Sequence, residues 1–226
     1  RSRGLGDVYK RQIKAEIPDV DAARQNFDGI TYAKGAAVLK QLVHYVGRDN
    51  FYAGARDYFQ EHAFAAATFD DLLKALKKHT DRDLDAWSQA WLRTWGPDTL
   101  IPELHTEGEK IAELAILAEA EDVCRPHRLT ASLFDADLHK YREIDIDLPA
   151  GDDTTRTIID EAAGLPAPEL LLLNDADHTY AKIRFDDTSL ETAGNRLTEI
   201  EDDLTRAIIW TALWNLTRDG EMSAID

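Results

Sequence analysis

Hydrophobic periodicity changes twice along these 226 residues. Up to about Pro97 apolar residues recur at three- and four-residue steps, the helical period. From residue 101 to 185 they alternate or stand in short runs between turn clusters, the strand period. From Thr188 the helical period returns. A chain that switches period near Gly96 to His105 and again near Asp186 cannot be one helical array or one sheet. It is expected to be α+β, with a helical part, a β-sandwich and a second helical part.

The first part predicts four helices. One runs from about Lys34 to Val46, with Val38, Leu39, Leu42, Val43 and Val46 as its apolar stripe and Gly47 as its stop. A second spans about Asp49 to His62, with Phe51, Ala55, Tyr58 and Phe59 on one face. Thr68 opens a third. Asp71 stands three residues on in a near capping-box pattern, and Phe69, Leu72, Leu73 and Leu76 form the buried face. The fourth covers Leu84 to Thr94, with Trp87 and Trp91 four residues apart, and Gly96-Pro97 ends it.

Strands are expected at residues 101 to 105, 111 to 118, 127 to 136, 141 to 148, 154 to 159, 170 to 173 and 180 to 185. Residues 112 to 120 are rich in Ala and Glu, so their propensity alone would allow a helix. Seven short strands in succession suggest a sandwich. A last helix is expected over Asp203 to Leu216, ending near Arg218-Asp219-Gly220.

Charge and composition exclude several function classes. A net charge of −17 repels phosphate backbones and argues against a nucleic-acid partner. No apolar run approaches the length of a membrane span. Cys124 is the only cysteine, so an intrachain disulfide is impossible and a reducing, cytoplasmic setting fits. Residues 1–12, RSRGLGDVYKRQ, hold four basic residues against one acidic, unlike the acidic remainder, and are expected to be a non-native tail.

The stretch Phe27 to Tyr45, FDGITYAKGAAVLKQLVHY, carries the chemistry. Asp28-Gly29 is a turn dipeptide, and Ile30-Thr31-Tyr32 brings a phenol to the threshold of an amphipathic helix. A rigid element of that kind can hold a polar group in place. The pattern Phe27-Asp28-x-Ile30-x-Tyr32-x-Lys34-Gly35-Ala36-x-Val38-Leu39 resembles a segment of the aminopeptidase N family of zinc metallopeptidases, the gluzincins. Residues 13 to 226 resemble one continuous piece of an actinobacterial-type member.

The resemblance implies three domains. Residues 13–98 would be the helical end of a thermolysin-like catalytic domain, 99–186 a β-sandwich domain and 187–226 the start of a C-terminal helical domain. It implies a parent enzyme that removes N-terminal amino acids from peptide substrates with Zn2+ as cofactor. It also implies that Tyr32 is catalytic and helps to stabilise the transition state. A phenol is a neutral donor at neutral pH. A fixed O–H can share the charge that grows on a peptide carbonyl oxygen under attack. By spacing alone, Tyr32 could equally be a residue packed at a helix start. Lys34 is read as a surface or salt-bridging residue, and Gly35 as a site of close packing.

A gluzincin needs H-E-x-x-H on one helix and a further Glu on a later one. Neither that motif nor the amine-gripping Gly-x-Met-Glu-Asn type occurs here. His44, His62, His79, His105, His127, His139 and His178 are scattered, with no His partner at four-residue spacing. This chain is therefore expected to bind no zinc and to be inactive alone; its metal ligands are none and its substrate-binding residues unknown. Asp135, Asp137 and His139 could suggest a metal, as could Asp175, Asp177 and His178, but solvated turns explain both better. Cys124 beside Arg125 could have a lowered pKa; a plain loop cysteine is the simpler reading. The rival reading of the whole is a non-catalytic helical plus β-sandwich module that binds another protein. The parent enzyme is expected to be a monomer.

Overall fold

A computed structural model describes residues 18–21, 24 and 30–223. The expected tail, the connecting stretch up to Asn26 apart from those few residues, and the Asp28-Gly29 turn lie outside the described residues. The chain forms two compact units that divide between Thr94 and Trp95.

The first unit is helical. A π-helical turn, Ile30–Lys34, runs directly into α1, Gly35–Val46. Then follow α2, Arg48–Glu61, α3, Phe69–Leu76, and α4, Leu84–Leu92. Gly47 adopts φ of 90°, which a side chain would strain, and it separates α1 from α2. The capping box at α3 is present: the Asp71 N–H donates to Thr68 Oγ1, and the Thr68 N–H donates to Asp71 Oδ2. Asp83 Oδ1 caps α4 by accepting from the N–H groups of Asp85 and Ala86. Trp87 and Trp91 are both buried, as their spacing predicts.

The face expected to be buried on α3 is so in part: Leu73 and Leu76 are buried, whereas Phe69 is 38% exposed. The apolar residues of α1 and α2 divide between covered and open sides. Val38, Leu42 and Val46 are buried, but Leu39 is 42% exposed and Phe59 is 71% exposed. In α2 the buried residue is Gly54, and a Cβ there would lie 2.8 Å from Leu76 Cα. The helix is held by close backbone approach to α3 more than by its aromatic face.

The second unit contains seven strands: β1, Asp98–Glu107; β2, Lys110–Glu119; β3, His127–Phe134; β4, Lys140–Leu148; β5, Thr154–Ile158; β6, Leu170–Leu173; and β7, Ala181–Ile183. They form two sheets, ordered β5-β2-β1-β7 and β4-β3-β6. The inward residues alternate along each strand. Leu114, Ile116 and Ala118 of β2 share one core with Leu129, Ala131 and Leu133 of β3 and with Ile144, Ile146 and Leu148 of β4. The Ala/Glu-rich segment is a strand because its alternation fills this core, which outweighs its helix propensity. All pairings are antiparallel except β1 with β7, where Leu100 lies opposite Ile183 in parallel register.

Two helices follow, α5, Asp187–Arg196, and α6, Asp203–Asp219, capped by Asp186 and Asp202. They lie in the same unit as the sheets. Ala193, Ile209, Leu213 and Leu216 close a second core over Phe134, Leu170 and Leu172. Successive residues of β6 therefore serve two cores: Leu171 and Leu173 face the sandwich interior, and Leu170 and Leu172 face the helices. Both faces being covered explains why four leucines in a row can form one strand. The whole is an α+β fold of helices, two sheets and helices. No helix among the described residues is long and apolar enough to cross a membrane.

Candidate functional site

Tyr32 stands in the middle of the π-helical turn and is 62% exposed. A π turn widens the helix by one residue, a local irregularity often found where a side chain must be aimed. What anchors the turn is α1 behind it. Val38, Leu42 and Val46 are buried, and Gln41 is fully buried on the same side. The Trp87 indole Nε1–H donates to Gln41 Oε1 at 2.6 Å, which ties α1 to α4. The Arg82 guanidinium sits 4.4 Å from the centre of the Tyr45 ring. The phenol is thus carried on a held element while its own ring faces outward.

Lys34, read as a surface or salt-bridging residue, is 7% exposed, so it does not lie at the surface. The π turn changes the angular position of each residue, so the last residue of the turn points inward where plain α-helical spacing would leave it out.

The two Asp/His groups separate clearly. Asp135, Asp137 and His139 each offer an atom within 4.8 Å of the others. Asp135 Oδ1 already accepts from the N–H groups of Asp137 and His139, at 3.0 and 2.9 Å. Leu138, with φ of 59°, plugs into the core beneath, and Arg196 donates to the Ala136 carbonyl. These bonds describe a side-chain-stabilised turn between β3 and β4. In the second group Asp175 is buried and accepts from Ser132 Oγ at 2.7 Å and Thr205 Oγ1 at 2.6 Å, with Lys140 Nζ at 2.6 Å. It joins β3, β4 and the first turn of α6.

Cys124 is buried rather than part of an open loop, and its thiol donates to the Ala118 carbonyl at 3.2 Å. Burial, then the negative charge of Asp98, pushes its pKa up, opposite to the lowering that neighbouring Arg125 suggested. An inert thiol is the result.

Sequence reading missed one buried polar cluster. Asp98 is fully buried at the start of β1. Its carboxylate accepts from the Arg125 backbone N–H at 2.7 Å and from His127 Nε2 at 2.8 Å, and it pairs with the Arg125 guanidinium. Thr179 Oγ1 lies 2.7 Å from His127 Nδ1, and Arg125 Nη2 donates to the Trp95 carbonyl at 2.9 Å. Burial pushes the Asp98 carboxyl up, but the hydrogen bond from His127 and the charges of His127 and Arg125 outweigh it and hold the group below the usual carboxylate range. With distances like those of a relay but no exposure, the cluster is a clasp that joins β1, β3 and the β6–β7 connection. No local signal reveals it, because its members are scattered from residue 95 to residue 179.

The residues present do not fit a catalytic zinc. The ligand motif is missing from the sequence. Among the described residues, the Asp135, Asp137 and His139 turn is the one group close enough to share an ion, and it belongs to the second unit rather than to the one that carries Tyr32.

Comparisons with known proteins bear on both units. The description "Peptidase family M1 domain" matches residues 6–91, beginning inside the 1–12 stretch, and "ERAP1-like C-terminal domain" matches residues 170–226. Aminopeptidase N of Streptomyces lividans is 41% identical over 95% of this chain, which corresponds to 26% of that protein. Tricorn protease-interacting factor F2 of Thermoplasma volcanium is 31% identical over 49% of this chain and 14% of its own length. Glutamyl aminopeptidase of Bitis rhinoceros is 30% identical over 44% of this chain and 10% of its own. A crystal structure of Legionella pneumophila aminopeptidase A in complex with aspartic acid has a TM-score of 0.63 at 15% identity. It covers 96% of this chain and 25% of that one, a likeness of fold. The chain thus spans about a quarter of the length of its Streptomyces relative, and it belongs to the M1 peptidase family of the aminopeptidase N kind.

Proposed function

We propose that this chain supplies the tyrosine-bearing part of an aminopeptidase that removes N-terminal residues from peptides, and that Tyr32 is its catalytic contribution. The observation that carries the reading is the exposed phenol on a π turn backed by a buried helix, inside the stretch that matches the M1 domain. In such an enzyme a zinc ion would be held by residues that this sequence lacks and would supply activation of the attacking water. Tyr32 has a different task. Its O–H donates to the carbonyl oxygen as negative charge grows there, an interaction stronger in the transition state than in the bound substrate.

The same proposal assigns residues 13–98 to the catalytic domain, 99–186 to a β-sandwich domain and 187–226 to the start of a C-terminal helical domain. The two family matches and the strand limits support that division. It also holds that the parent enzyme works as a monomer in the cytoplasm, a setting in keeping with a single, buried cysteine.

The test is Tyr32→Phe in a full-length chain, with the Streptomyces relative supplying the residues outside the aligned stretch. The substitution removes one donor and little volume. Turnover is expected to fall by on the order of 10²- to 10³-fold, with zinc content unchanged and the loss mainly in kcat. Near-normal kcat would make Tyr32 a packing residue. The chain by itself is expected to hydrolyse no aminoacyl substrate. It should also retain no stoichiometric zinc after mild chelation, which elemental analysis would show.

A further inference from the structure

Asp98 and Asp175 are buried carboxylates on different elements, one at the start of β1 and the other just after β6. The connection between β6 and β7 joins them. Asn174 opens it with φ of 59°, a left-handed conformation that asparagine tolerates, and its side chain reaches across the loop. Its Oδ1 accepts from the Thr179 N–H at 3.0 Å, and its Nδ2 donates to the Thr179 carbonyl at 2.9 Å. Thr179 is thereby pinned with its hydroxyl against His127 Nδ1, while His127 Nε2 faces Asp98. Asp175, the residue after Asn174, extends the connection the other way. Its Oδ1 accepts from Thr205 in the first turn of α6, and its Oδ2 accepts from Ser132 of β3.

Every link is covered: Asp98, His127, Thr179, Asn174, Asp175 and Thr205 are each at most 4% exposed. A bond shielded from water is not readily exchanged for one to solvent, so a change at one partner has to be met by the next. At one end of the series Arg125, paired with Asp98, donates to the carbonyl of Trp95, the residue with which the second unit begins. At the other end stands α6. The far turn of α6 is bound to the same strands, because Asp219 accepts from Lys182 of β7 at 2.6 Å and from Arg184 at 3.0 Å. Ala181 of β7 in turn lies opposite Asp98 of β1. We propose that these bonds act as one coupling path, by which the position of α6 and that of the chain at Trp95 are set together. The rival is a pair of local clasps, at Asp98 and at Asp175, whose effects add. No partner is common to Thr205 and Asp98 among the described residues, and sites without one usually behave additively. Coupling between them therefore has to pass through the β6–β7 connection. The proposal is independent of the role of Tyr32.

Amide hydrogen exchange of the 226-residue chain, read by NMR, separates the two. Thr205→Val removes one hydroxyl with little change of volume. The Arg125 amide, which donates to Asp98 Oδ2 at the opposite end, should then exchange faster by about fivefold. The Ile159 amide, bonded to the Leu114 carbonyl off the path, should keep its rate. Thr205→Ser, which retains the hydroxyl, should return Arg125 to its natural rate. An unchanged rate at Arg125, or equal acceleration at Ile159, would overturn the proposal. A double-mutant cycle by denaturant unfolding gives a second reading, with Thr179→Val cutting the path at its middle. The two substitutions together should raise the unfolding constant less than the product of their separate effects, by more than about twofold. A product met within that margin would make the clasps independent and overturn the coupling.

Discussion

The helical unit and the sandwich unit bury their side chains in different ways. In the sandwich, two sheets face each other, and inward positions such as Leu114, Leu129 and Leu133 are fully buried. The buried carboxylates of Asp98 and Asp175 each hold several partners there. The helical unit is more open. Leu39, Tyr52, Phe59 and Phe64 are exposed, and α2 buries only a glycine. A sheet pair closes its own core, whereas α1 buries Val38, Leu42 and Val46 on one side and leaves Leu39 open on the other. The lesson is that the paired sheets close their own core, while the helices of both units leave large apolar side chains exposed, Leu39 and Phe59 in the first and Trp210 and Trp214 in the second.

The sharpest way to break this comparison is to remove Asp98. Asp98→Ala leaves the Arg125 guanidinium and His127 buried without their anion, an effect of about 3–5 kcal/mol. Denaturant unfolding should show that loss in the sandwich transition, with the helical one unmoved. A loss under about 1 kcal/mol would mean that the cluster is a bystander. The same group sets an acid limit. Its folded pKa is depressed, so its stabilisation is complete above the unfolded value near ~3.9 and disappears as pH falls through the lower folded value. The difference in stability between the natural chain and Asp98→Asn should therefore shrink as the pH falls below about 4. A gap that stayed constant down to pH ~2 would assign the stabilisation to something other than the carboxylate.

In the helical unit the largest single effect should come from Gly54→Ala. The added methyl meets the Leu76 backbone at 2.8 Å, so α2 and α3 must move apart, at about 1–3 kcal/mol. The sandwich midpoint should not change. If the substitution stabilises, the close approach is not what holds the two helices. Smaller still is Thr68→Ala, which deletes the capping box of α3 and should cost about 0.5–2 kcal/mol by thermal unfolding. No change there would show that packing of Leu73 and Leu76 alone maintains the first turn.

Local patterns determined much of this protein. Residues 111 to 118 were readable as a strand from their short apolar runs together with the family resemblance, although their alanines allowed a helix, and the strand observed is Lys110–Glu119. The Thr68–Asp71 spacing marked the start of α3, and the Trp87–Trp91 spacing marked a buried side of α4. The candidate itself, Tyr32 at a helix threshold, was legible because the motif is contiguous in the chain.

What tertiary structure decided has a common reason. Periodicity tells which residues share a face, not which face will be covered. That is why Leu39 and Phe59 turned out exposed and Lys34 buried. The π turn at Ile30–Lys34 is a hydrogen-bond register that composition does not encode, yet it sets where Tyr32 points. The parallel pairing of β1 with β7 joins residues 98 and 181, and the clasp at Asp98 gathers side chains from residue 125 to residue 179. Such contacts depend on closing long loops, and neither strand nor polar residue announces its distant partner in advance. Short-range sequence order wrote the elements, and only the burial of one against another selected the face, the register and the polar partners.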